Sequence, residues 1–119
     1  MKPKDIVSNY YKSDVVLDVD AVSEFLHPDV VLEWNSSKGF SKFNKKQLLD
    51  FSTELSKAYV RIKYNITHLI AKGDTVVVRF TQYAKTIENP REEMFIANYM
   101  VIWELKDDKL YRGYQMSQV

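Results

Sequence analysis

The chain has 119 residues, 45% of them hydrophobic and 28% charged, which suits a single globular domain with one core. Seventeen basic residues against sixteen acidic ones leave a formal net charge of +1, so no electrostatic argument points to nucleic acid or an anionic membrane as partner. Cysteine is absent, which excludes disulfides, thiolate metal sites and cysteine nucleophiles.

Three glycines and three prolines leave no flexible linker, so one domain is expected to span residues 1–119. The opening "MKPKDIVSNYYK" has no apolar run of signal-peptide length, and no later stretch reads as a membrane span. The expectation is a cytoplasmic, bacterial protein.

In chain order, Ile6, Val7, Tyr10 and Tyr11 share one side of a short opening helix. In "DVDAVSEFL", Asp18 reads as an N-cap, with Val19, Val22, Phe25 and Leu26 as the buried stripe. Pro28 is expected to stop this helix, because the residue before a proline is pushed out of helical geometry. A strand over Val30–Asn35 follows, with Leu32 and Trp34 on one face and Glu33 on the other. Further on, Asn44 and Gln47 have capping-box spacing, Phe43 and Leu48 the spacing of a hydrophobic staple. Leu48, Phe51, Leu55 and Tyr59 then recur on one helical face.

From Val60 the period becomes two. Val60, Ile62, Tyr64, Ile66, His68 and Ile70 alternate with polar residues, and "KGD" at Lys72–Asp74 reads as a hairpin turn. "DTVVVRFTQYAKTI", "MFIANYMVIWELK" and "KLYRGYQMSQV" supply three more strands, the last pair turned by Asp107-Asp108. Helices followed by an antiparallel meander predict an α+β fold with the helices on one sheet face. A two-residue turn would put Tyr64, Ile66, His68, Val77, Arg79, Thr81 and Tyr83 on one face. One added loop residue would put Val76, Val78 and Phe80 there instead. In the third strand Tyr99, Val101 and Trp103 face one side and Met100 and Ile102 the other, so both faces should be covered. Helices cover one; a second copy of the chain is the expected cover for the other.

"DVDAVSEFLHPDVVLEW", "LIAKGDTVVVRFT" and "VIWELKDDKLYRGYQM" resemble, in order and spacing, the nuclear transport factor 2-like superfamily, which includes ketosteroid isomerase and SnoaL-type cyclases. The resemblance implies a cone-shaped domain, its curved sheet wrapped around helices and a deep apolar pocket, with dimers through the convex face common. Carried over from ketosteroid isomerase, the oxyanion tyrosine falls on Tyr10, the base on Trp34 and the protonated acid on Val101. Indole accepts no proton and valine donates none, so isomerase chemistry by that route is excluded. The superfamily also includes limonene-epoxide hydrolase, and the resemblance to it places an arginine at Arg79 and an acid at Thr81, so there too the base is missing.

The candidate groups that remain are His68, Tyr10 and Arg79. His68 is a general base or a structural histidine; Arg79 is a pocket anion clamp or a surface or interface residue. An inward Arg79 would favour an acidic ligand, because a buried guanidinium without a carboxylate is costly. The expected lining adds Trp34, Phe51, Leu55, Tyr64, Tyr83, Tyr99, Val101, Trp103 and Gln115. No metal-ligand spacing is present, and no cofactor is expected. Two functions follow: a pocket for a small hydrophobic ligand, acidic if Arg79 faces inward, or an isomerase, cyclase or hydratase using His68 and Tyr10 in place of a carboxylate.

Overall fold

The computed structural model describes residues 2–119. Helix α1 (Pro3–Tyr10) is followed by a 3₁₀ turn (Val15–Leu17), helix α2 (Val19–Phe25), strands β1 (Leu26–Ser36) and β2 (Gly39–Asn44), helix α3 (Lys45–Ala58), and strands β3 (Tyr59–Lys72), β4 (Thr75–Thr86), β5 (Met94–Lys106) and β6 (Lys109–Gln118). The six strands form one sheet in the order β2-β1-β6-β5-β4-β3. Every pair is antiparallel except β1 with β6. The helices lie against one face, and the fold is α+β, as the pattern predicts.

Local chemistry sets the helix ends. The Asp18 side chain accepts from the Asp20 and Ala21 amides and starts α2. The Asn44 side chain accepts from the Gln47 amide, the Gln47 side chain accepts from the Asn44 amide, and this reciprocal box starts α3. Helix α2 stops at Phe25, and Pro28 lies inside β1, whose pairing to β6 is irregular between Leu26 and Val31. Strand β2 is absent from the sequence reading. It is a short edge strand, exposed at every position but Phe43, so no buried alternation marks it.

The inner sheet face and the helices enclose the core. Val76, Val78, Phe80, Val101, Trp103 and Leu110 are fully or almost fully buried there, beneath Val7, Tyr11 and Val22. The buried Trp103 indole N–H donates to the Tyr11 hydroxyl at 2.9 Å, which satisfies a donor that would otherwise be costly to bury.

The β3–β4 hairpin resolves the question of faces in a way neither sequence alternative contains. Its turn has two residues, Lys72 pairs with Thr75, and His68 stands opposite Arg79. Between Ile66 and His68, however, the register shifts by a bulge at Thr67, so Ile66 pairs with Phe80 and Tyr64 with Gln82. Tyr64 and Ile66 therefore face the core, while His68 and Arg79 face outward. The outer face reads in rows across the sheet. Ile70, Val77, Ile102 and Tyr114 form one row; His68, Arg79, Met100 and Met116 form the next.

Candidate functional site

A cavity of about 340 Å³ opens between α3 and the inner sheet face. Its floor comes from the core side: Val22, Leu48, Ser52, Ile62 and Ala84 are buried lining residues. Ser52 sits there because its hydroxyl donates to the Val16 carbonyl, tying α3 to the 3₁₀ turn. The inward half of β1 and β2 delivers Leu32, Trp34 and Phe43, and α3 delivers Phe51 and Leu55. From β3, β4 and β5 come Tyr59, Tyr64, Phe80, Gln82 and Tyr99, with Gln115 from β6 and Tyr10 from α1.

Eight of these residues are aromatic. Trp34, Phe43 and Phe51 pack on one another with ring centroids 5.9–6.4 Å apart, and Trp34 also meets Tyr99 at 6.2 Å. Tyr99 stacks on Phe80 at 5.0 Å, and Phe80 in turn contacts Tyr64 and Tyr11. The wall is thus one connected ring network. The Trp34 indole N–H is fixed by donation to the Ser117 hydroxyl at 2.8 Å. Phe51, 39% exposed, stands at the rim.

The polar groups of the lining are phenols, amides and the Ser52 hydroxyl, which is spent on the Val16 carbonyl. Burial pushes the Tyr10 and Tyr99 hydroxyls up to about 12. Burial also raises Tyr64, with Tyr10, Tyr11 and Tyr99 adding to the rise and the Gln82 side chain opposing it. At neutral pH these groups are O–H donors and oxygen acceptors, not bases. Among the described residues, no Asp, Glu, His, Lys or Arg lines the cavity, and no group of three or more His, Asp or Glu could hold a metal ion.

The expected site residues therefore divide. Tyr10, Trp34, Phe51, Leu55, Tyr64, Tyr99 and Gln115 converge on the cavity. His68 and Arg79 do not: both are exposed on the outer face, where the Arg79 guanidinium donates to the Thr67 hydroxyl at 3.0 Å and His68 Nδ1 contacts the same oxygen. The Thr67 bulge turns His68 off the face of Tyr64, and alternation along β4, with Val78 and Phe80 buried, turns Arg79 outward. Tyr83 also faces outward, against Phe95. Val101 and Trp103 face inward but lie closed within the core. The sequence reading missed Phe43, Tyr59, Phe80 and Gln82 as lining. In the sequence Phe43 has the spacing of a staple and the facing of Phe80 depends on the hairpin register; the alternation of β4 is the signal that points to Gln82.

A curved sheet closed by three helices over a ring-lined cavity defines the nuclear transport factor 2-like class of fold. The family model described as SnoaL-like domain matches residues 9–113, and the chain belongs to that family. No curated protein matches the sequence. Among solved structures, a protein assigned as a SnoaL-like polyketide cyclase from Shewanella denitrificans superposes with a TM-score of 0.75 at 14% identity, over 97% of this chain and 89% of that one. A limonene-epoxide-hydrolase-like enzyme from M. tuberculosis gives 0.75 at 15%, over 97% and 81%. A protein of ketosteroid isomerase-like fold from Catenulispora acidiphila, in complex with trimethylamine, gives 0.69 at 10%, over 92% and 82%. At these identities the likeness establishes the fold. No helix is long and apolar enough to cross a membrane among the described residues.

Proposed function

We propose that the protein binds a small, largely apolar, non-anionic molecule in the cavity between α3 and the inner sheet face. The carrying observation is the composition of the wall: eight rings, uncharged polar groups and, among the described residues, no ionised side chain. Such a site gains affinity from apolar burial and ring contacts, and orients its ligand through a few hydrogen bonds. An acidic ligand loses its support, because Arg79 stands on the opposite face of the sheet. The Catenulispora protein of this fold is in complex with trimethylamine, a small non-anionic molecule.

A cyclase- or isomerase-type activity would have to proceed through hydrogen bonds from Tyr10, Tyr64 or Tyr99 to a developing oxyanion. His68 cannot serve as its base from the outer face, and no lining residue accepts a proton at neutral pH. Binding is therefore the reading favoured here.

Trp34 makes the test direct. A neutral probe such as 3-tert-butylphenol should change the intrinsic fluorescence saturably, and Ala84→Leu, which fills the floor, should weaken it. An unsaturable response, or one equal in folded Ala84→Leu, would overturn the assignment of the cavity as a ligand site.

We propose as well that the outer sheet face pairs with a second copy of the chain. Ile70 is 61%, Met100 51%, Ile102 41% and Met116 63% exposed, and they lie in adjacent rows rather than scattered.

A further inference from the structure

From the way the cavity presents its polar atoms, we infer that the preferred ligand carries a methylated ammonium group, held against the aromatic rim formed by Trp34, Phe51 and Tyr99. This deepens the ligand-binding reading and rests on it.

Three observations carry the inference. Three rings meet at an angle at the rim, Trp34 with Phe51 at 5.9 Å and 82° and with Tyr99 at 6.2 Å and 40°, and the π-electron density of an aromatic face attracts a cation. The donor-only groups of the ring network are already consumed. Trp34 donates its indole N–H to Ser117 and Trp103 donates its own to Tyr11. The other polar residues of the lining, the tyrosines with Gln82 and Gln115, carry an oxygen acceptor beside each donor, so a guest without an N–H leaves none of its own donors unpaired there. Among the described residues no lysine or arginine lines the wall to repel a positive guest, whereas an anion would meet electron-rich rings with no cation to offset them.

The same wall selects the kind of cation. A primary ammonium buries three N–H donors and a compact, strongly hydrated charge, which needs a carboxylate the cavity lacks. A quaternary ammonium has no N–H to satisfy and spreads its charge over methyl groups that pack on rings. Its favourable position is the rim, where Phe51 is partly exposed and the charge keeps some water. The remainder of the ligand then fills the apolar floor, and a ligand hydroxyl or carbonyl meets the tyrosines.

The test uses three probes of one shape, measured by calorimetry at neutral pH on the whole chain: 3-hydroxyphenyltrimethylammonium, 3-tert-butylphenol and 3-hydroxybenzenesulfonate. The expected order is cation tightest, by about tenfold over the neutral isostere, with the sulfonate weakest. Trp34→Leu keeps apolar contact but removes the ring, and should reduce the cation's advantage more than the affinity for the neutral probe. If that variant does not fold, Phe51→Leu at the rim makes the same comparison. Equal or tighter binding of the neutral isostere overturns the ammonium inference and leaves the pocket reading standing. Binding of none of the three overturns both.

Discussion

Gly113 shows how one residue can decide whether the wall of this cone closes. It sits on β6 between Trp103 of β5 and Leu32 of β1. A Cβ there would lie 2.6 Å from a Trp103 ring carbon and 2.7 Å from a Leu32 methyl, far inside contact distance. The glycine is present so that the indole can lie flat across β6 and reach the Tyr11 hydroxyl. Gly113→Ala forces both side chains to shift in a packed core, and is expected to destabilise the fold by about 1–3 kcal/mol. Urea unfolding of the variant measures this; an unchanged midpoint would mean that the core relaxes freely around Trp103. Nothing in the sequence marks this glycine, because its role depends on a neighbour ten residues away and on another strand.

At the scale of elements, α3 is the part most exposed to a single local choice. Its first turn depends on the Asn44–Gln47 box, and that turn carries Leu48 into the cavity floor. Asn44→Ala removes the acceptor for the Gln47 amide and should cost about 1 kcal/mol, read as a lowered thermal midpoint with unchanged helical content at 25 °C. This element was legible in the sequence because a cap, a staple and a helical stripe agreed with one another. The elements that escaped reading lacked such agreement. Strand β2 is short and almost wholly exposed, with Phe40 and Phe43 three residues apart, so its residues follow no strand alternation. The parallel pairing of β1 with β6 joins segments some 80 residues apart, as Trp34 opposite Gln115 illustrates. The Thr67 bulge is the costliest omission. One unpaired residue put His68 on the face opposite Tyr64, beside the outward Arg79, yet threonine at that point looks like any other strand residue. So the ring-bearing half of the site could be read from periodicity and resemblance, whereas the proposed charged half could not.

At the scale of the molecule, the outer face must be covered or tolerated, and its arrangement favours cover by a second copy. An apolar centre of Ile102, Met100, Tyr114 and Val77 is bordered by Glu104 and Arg112 on one side and by Thr81 and Asn98 on the other. An apolar centre with a polar rim is the anatomy of a protein interface. The face also holds charges of both signs, Glu33 and Glu104 with Arg79 and Arg112, which a two-fold interface needs because the patch must complement itself. Sedimentation at micromolar concentration should therefore give twice the chain mass. Ile102→Glu places a carboxylate at the centre of the patch, where two-fold symmetry brings a second one nearby, and should yield a monomer with an unchanged circular dichroism spectrum. Because Ile102 points away from the cavity, the monomer should still bind the probes that the dimer binds. A wild-type monomer would reject the pairing. A monomeric variant that lost binding would show instead that the two faces of the sheet are coupled through β5, the strand that places Ile102 outside and Tyr99 within.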